Sequence, residues 1–193
     1  MSQRARRCLA GTIAGFLATA PMTAVMVAGK CCLPRRSKDS LPPVQITQNA
    51  LRAINVADEL SREQKVNLAA VNHFGFGAST GALFGLFCAP RSAADAVTSG
   101  CLYGIGVWSC SYLGWLPASG LYRSAVDETP ERNTLMILAH IIWGASLGLA
   151  THVISYGERG QSECLSAALK RSTRHVTACD SCACAVVELL RGS

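Results

Sequence analysis

Four long stretches of this chain contain no Asp, Glu, Lys or Arg, and they constrain its fold more than any other feature. They run from Cys8 to Gly29, from Val66 to Pro90, from Ala96 to Tyr122 and from Asn133 to Gly157. About 20 mainly apolar residues cross a bilayer core as an α-helix, and a charged side chain at the helix centre costs roughly 2.5 to 3.5 kcal/mol. We therefore predict an all-α, polytopic membrane protein with a four-transmembrane-helix bundle.

These stretches divide the chain into three regions. Residues 1–7 form a basic N-terminal tail, residues 8–157 the membrane domain, and residues 158–193 a polar, Cys-rich C-terminal tail. Allowing for the flanking Pro and aromatic residues, we place the spans at about residues 8–29, 66–90, 96–117 and 133–156.

The first span has an alternative interpretation as a secretory signal. Arg4, Arg6 and Arg7 precede it, and the triplet that ends at Ala20 resembles a cleavage site. Because the apolar run continues to Gly29, we favour a retained span.

Residues 31–60 form the one sizeable connecting segment, and it contains a short amphipathic helix. Ile46, Ala50, Leu51 and Ile54 fall on one face of that helix, so we expect it to rest on the membrane surface.

The span boundaries carry helix-capping residues. Ser61 and Gln64 have the spacing of a capping box, and Ser92 precedes the third span in a weaker version of the same pattern. Thr129 followed by Pro130 is a typical helix start. The short connection at Pro90 predicts that spans two and three form a tight hairpin.

Every span also contains small residues four positions apart. Such pairs allow helix backbones to approach closely in lipid, where burial of apolar area gives no driving force. They predict one compact bundle, and homodimerisation through one of these faces is the competing use. The predicted packing residues are Gly11, Gly15, Gly77, Gly81, Gly85, Gly100, Gly104, Gly144 and Gly148.

Spans two and four share the pattern H-x-x-x-G-A-S-x-G, which begins at His73 and again at His140. This similarity suggests a duplicated two-helix hairpin, in which the two matching helices run in the same direction. Coincidence in a Gly- and Ala-rich background is the alternative.

His73 and His140 are the ionisable side chains placed well inside these two spans, which makes them candidates for a functional site. One interpretation is a shared site in which the two imidazoles bind a b-type haem or a metal ion, or relay protons. The other, which we favour, is two neutral imidazoles, each hydrogen-bonded to a backbone carbonyl or to a Ser or Thr of a neighbouring helix. We therefore assign no cofactor.

The C-terminal tail groups four soft metal ligands, His175, Cys179, Cys182 and Cys184, within ten residues. Such ligands suit zinc, and two of them form a C-x-x-C pair. A single cluster has little chain around it for a second coordination shell, so reduced thiols are the favoured interpretation.

The basic residues predict a lipid partner, but they are divided evenly between the two sides of the membrane. The net charge is +6, and it lies beside the spans, where it should meet anionic lipid headgroups rather than nucleic acid. Nine basic residues fall on each side of the predicted membrane, so only the arginines before span one favour cytoplasmic termini.

Several short segments resemble small uncharacterised bacterial inner-membrane proteins of the broadly YagU-like kind. They include Ala18 to Thr23, His73 to Gly77, Tyr112 to Pro117 and Ala139 to Gly144, and the resemblance covers roughly residues 8–157. It implies a multi-pass protein of the bacterial inner membrane and brings no catalytic residues.

From the sequence we expect a structural, interaction or accessory component of the bacterial cytoplasmic membrane rather than an enzyme. The alternatives are a haem- or metal-binding redox protein that uses His73 and His140, and a small oligomeric channel or transporter.

Overall fold

The described part of the chain consists mainly of α-helices. The computed structural model describes residues 2–34, 40–88, 90 and 92–155, and this part contains no strand. Its five longer helices form a compact unit that ends at Ile154. We label them α1 (Gln3–Cys32), α2 (Pro42–Ala53), α3 (Arg62–Phe87), α4 (Ala93–Ser109) and α5 (Pro130–Ser155). The all-helical prediction is confirmed.

The helix starts follow the local sequence. The predicted capping box of α3 is confirmed, because Gln64 N–H donates to Ser61 Oγ at 3.2 Å and Ser61 N–H donates to Gln64 Oε1 at 2.8 Å. Ser92 accepts from Asp95 N–H at 3.1 Å before α4. Helix α5 begins at Pro130, whose fixed φ suits the first helical position.

The helical backbone continues beyond the end of α4 at Ser109. A π-helical stretch, Cys110–Trp115, follows it directly, and one α-helical turn, Leu116–Ala118, completes the element. Gly114 interrupts the helical backbone with φ −112° and ψ −105°. π-Helical segments are frequent at functional sites.

Glycines hold α1 and α3 together as an antiparallel pair. A Cβ placed on Gly15 would collide with the carbonyl oxygen of Gly77, and one on Gly11 with that of Gly81. Gly85 meets the carbonyl oxygen of Arg7 in the same way. Residue numbers rise along α1 as they fall along α3, so the helices run in opposite directions with their backbones in contact.

Helices α4 and α5 form a second antiparallel pair with the same construction. Gly100 packs on the carbonyl oxygen of Gly144, Gly104 on that of His140, and Gly148 on that of Ala96. The tight pairs are therefore α1 with α3 and α4 with α5. Spans two and three keep the predicted short connection, from Phe87 to Ala93, but glycines do not pair them, because the glycines of α3 lie against α1 rather than against α4.

The two pairs pack on each other through side chains. A core cluster joins α1 to α5 and includes Ala18, Met22, Met136, Ala139 and Trp143. On the α3 and α4 side, the Tyr103 hydroxyl donates to the Thr80 carbonyl at 2.7 Å. Gly29 of α1 lies against Leu135 of α5, and the Gly15 carbonyl lies against Trp143, so α5 runs opposite to α1, as α3 does. The two helices that carry the repeated pattern therefore point in the same direction.

Two described helices, α1 and α5, are long and apolar enough to cross a membrane by length and composition. Helices α3 and α4 do not meet that measure, so the structure supports two of the four predicted spans in this respect. The reasons are physical: α4 has only 17 α-helical residues, and α3 carries polar residues such as Asn72 and His73 along its length.

Candidate functional site

A cavity of about 260 Å³ lies where the five helices meet. Each helix contributes to its wall, as does the π-helical stretch after α4. None of the described lining residues is Asp, Glu, Lys or Arg. The polar and aromatic side chains of the wall are Thr19, Thr47, Asn72, His73, Phe76, Thr80, Ser111, Tyr112, Trp115, His140 and Trp143.

His140 is buried in the bundle, with 6% of its surface exposed. Its Nδ1 lies 2.8 Å from the Met136 carbonyl oxygen. A carbonyl oxygen only accepts hydrogen bonds, so this contact assigns the proton to Nδ1 and leaves a lone pair on Nε2. In the part of the chain that the structure describes, no hydrogen-bond partner lies at Nε2.

His73 lines the same cavity from α3. Its Nε2 is buried and has no hydrogen-bond partner among the residues described. A buried polar atom without a partner costs free energy, and such an atom in a native structure calls for an explanation. The structure thus brings the two predicted histidines to one cavity, and the hydrogen bond of His140 is to a carbonyl of its own helix rather than of a neighbouring one.

Aromatic rings surround the imidazoles. Tyr112 meets His140 edge-on with ring centroids 5.9 Å apart, and Phe76 lies 6.3 Å from Trp115. The Trp143 indole N–H donates to the Gly15 carbonyl at 3.4 Å, which joins the second helix pair to the first. These contacts fix the positions of rings that form much of the cavity wall.

Helix α2 covers one side of this cavity. Ile46 and Ala50 line it, and Leu51 is only 7% exposed. Asn72 donates to Thr47 Oγ1 at 3.3 Å and so connects α3 to α2. The apolar face that we expected to lie on a membrane surface thus packs mainly against protein, because α3 offers a polar partner beside the apolar wall.

A charged cluster at the α2 end of the bundle was not predicted as a site. Arg132 is 3% exposed, and its Nε lies 3.3 Å from Glu128 Oε2. The Tyr122 hydroxyl donates to the same carboxylate oxygen at 2.9 Å, and Arg132 also donates to the Ser40 carbonyl at 2.6 Å. Burial raises the pKa of Tyr122 to about 12. The four-residue spacing of Glu128 and Arg132 was the one sequence signal for this cluster.

The cavity is small for a haem. Pockets that enclose drug-sized ligands measure roughly 300 to 1,000 Å³, and a haem is larger than most such ligands. Among the described residues, no three His, Cys, Asp or Glu side chains are grouped as a metal site would require. The candidate ligands His175, Cys179, Cys182 and Cys184 lie outside the residues that the structure describes.

A family model described as a protein of unknown function (DUF1440) matches residues 22–149. The chain belongs to this family. The DUF1440 match begins inside α1 and ends inside α5, so it includes both histidines of the cavity and the Arg132 cluster. It leaves out Gly11 and Gly15, which pack α1 against α3. No curated protein and no solved structure matches the chain.

Proposed function

We propose that this protein is a multi-pass component of the bacterial cytoplasmic membrane, of the YagU-like kind, in which α1, α3, α4 and α5 each cross the bilayer. Its role would be structural, interactive or accessory rather than enzymatic. The observation that carries the proposal is the outer surface of the bundle, where all four helices expose large apolar side chains. Clear examples are Leu17 (55% exposed), Val71 (68%), Leu102 (66%) and Val153 (60%).

The interior supports the same proposal. The closest backbone contacts within each helix pair are made at glycines, and the buried polar residues include Thr19, His140 and Thr151. A bundle in water buries its large apolar residues and exposes polar ones, whereas in lipid no such sorting is favoured and small residues promote packing. This chain places much of its apolar bulk outside and its small residues inside.

The polar residues that lower the hydropathy of α3 are compatible with a membrane. Asn72 and His73 line the cavity and do not need to face lipid, and buried faces are where polar residues in membrane helices occur. Helix α4 gains length from the π-helical stretch and the final turn to Ala118. Both elements can therefore cross, although average hydropathy does not select them.

The remaining expectations complete the proposal. Both termini would lie in the cytoplasm, with the arginines before α1 close to anionic headgroups, and nucleic acid would not be a partner. The nine predicted packing glycines all contact other parts of the same chain. A homo-oligomer would therefore have to form through another face, such as the exposed apolar surface.

The decisive experiment determines the side of the connection between α3 and α4. A protease-cleavable tag inserted after Pro90 in the full chain should be cut from the same side as the C terminus if four helices cross. If only α1 and α5 cross, the tag will be cut from the opposite side. A matched tag after Gly120, in the turn before α5, should be cut from that opposite side under either topology and is the control. Release of the protein from membranes by alkaline carbonate would contradict membrane integration itself.

A further inference from the structure

The cavity has the size, charge and polar groups of a ligand site, and we propose that it binds a small neutral phenol. In this proposal the hydroxyl group of the ligand donates a hydrogen bond to Nε2 of His140, and the aromatic ring occupies the apolar space beneath α2. The class includes substituted phenols and single-ring hydroquinones.

The volume selects a single ring. A closed apolar cavity of about 150 Å³ is enough to hold benzene, so about 260 Å³ holds a benzene ring with one or two small substituents. Met22 and Met26 in the wall can adjust to the outline of such substituents.

The charge of the wall selects a neutral molecule. No described lining residue carries a fixed charge, and most of the wall consists of aliphatic and aromatic side chains. An ion that left water for this space would lose its hydration without gaining a counter-charge, which is expensive. Carboxylates, phosphates and ammonium compounds are therefore disfavoured, whereas a protonated phenol carries no charge at neutral pH.

The polar atoms of the wall that lack a hydrogen-bond partner favour a ligand that carries a hydroxyl group. Several polar side chains of the cavity are already satisfied by backbone carbonyls: the hydroxyl of Thr19 donates to Gly15 at 2.8 Å and that of Thr80 to Phe76 at 2.8 Å. The two imidazoles differ, because Nε2 of His140 keeps its lone pair and Nε2 of His73 is buried without a partner. A ligand hydroxyl would satisfy the acceptor on His140.

The test uses the full chain in mild detergent with 4-ethylphenol and ethylbenzene as probes. These molecules differ by one hydroxyl group, and binding is followed by quenching of tryptophan fluorescence, since Trp115 and Trp143 line the cavity. One hydrogen bond in an apolar site predicts that 4-ethylphenol binds about tenfold more tightly than ethylbenzene. Equal affinities, or no saturable binding of 4-ethylphenol, would overturn the proposal.

Two variants locate the site. His140→Phe keeps an aromatic ring but removes the acceptor, so the tenfold preference for the phenol should disappear. His152→Phe changes a histidine of the same helix that does not line the cavity and should leave the preference unchanged. A preference that survives in His140→Phe would refute the role of that residue.

A third variant protects the test against loss of folding. Ala50→Phe fills the cavity from α2, where the side chain is only half-buried, and should abolish saturable binding of both probes without altering the helix pairs. Full binding to this variant would show that the phenol sits elsewhere, in the micelle or on the outer surface, and would refute the site even if His140→Phe failed to fold.

Discussion

Two glycines of α3 provide a sharp test of the helix packing, because one lies in the contact with α1 and the other does not. A Cβ on Gly81 would collide with the carbonyl oxygen of Gly11 and lie 2.7 Å from the Cα of Gly15. A Cβ on Gly75 would meet no atom within 4 Å. We therefore expect Gly81→Ala to destabilise the protein and Gly75→Ala to stabilise it slightly.

The magnitude follows from the contact distances. Non-bonded carbon atoms are most stable about 3.5 to 4.0 Å apart, so the added methyl at Gly81 must separate the two helices by roughly 1 Å. Overpacking of this kind costs about 1 to 3 kcal/mol in a well-packed interior. At Gly75 the same substitution only improves helix propensity, by at most about 1 kcal/mol. The two variants should therefore differ by about 1 to 4 kcal/mol in unfolding free energy.

The assay is reversible unfolding of both variants in mixed micelles of increasing SDS content, followed by far-ultraviolet circular dichroism. Gly144→Ala repeats the test in the second helix pair, where the new Cβ would meet the carbonyl oxygen of Gly100. If Gly81→Ala and Gly75→Ala unfold at the same SDS fraction, the backbones of α1 and α3 are not in contact and the packing described above is wrong.

Three further predictions concern the outer surface and the charged cluster. Leu102→Arg should cost about 2.5 to 3.5 kcal/mol of membrane insertion, whereas Val126→Arg in the connection before α5 should not, as a membrane-integration assay will show. Arg132→Met leaves Glu128 without its buried partner and should lower the unfolding free energy by about 3 to 5 kcal/mol in an SDS titration; an unchanged midpoint would contradict the buried pair. The raised pKa of Tyr122, about 12 against roughly 10 unfolded, gives stability that is complete below about pH 10 and lost as pH rises towards 12. Tyr122→Phe should therefore lose less stability than the unaltered protein between about pH 10 and pH 12, measured by thermal unfolding.

Much of the helical arrangement follows from local sequence. The stretches without charged residues predicted the positions of α1, α3, α4 and α5. The Ser61 capping box predicted the start of α3, because both of its hydrogen bonds join residues only three apart. The shared histidine pattern placed His73 and His140 at similar positions on parallel helices, and the structure brings both to one cavity.

The features that were missed depend on contacts between distant residues. Arg132 is buried through the Ser40 carbonyl, 92 residues away in sequence, and Asn49 ties α2 to the Leu121 carbonyl across 72 residues. The amphipathic pattern predicted which face of α2 is apolar, but it did not predict that this face packs over the cavity beside α3. An average hydropathy for α3 does not distinguish polar residues that line the cavity from polar residues that would face lipid. The number of membrane-crossing helices therefore cannot be derived from average hydropathy.

The glycine contacts also bear on how this sequence can change over time. Every single-base change in a glycine codon that alters the amino acid introduces a Cβ, and at Gly77, Gly81, Gly144 and Gly148 that atom would collide with the facing helix or side chain. Selection on stability alone would then keep these positions while neighbouring apolar residues drift. A duplicated hairpin that had diverged for long enough would retain little beyond the residues of its closest contacts and its cavity, which is the kind of sparse pattern that α3 and α5 share.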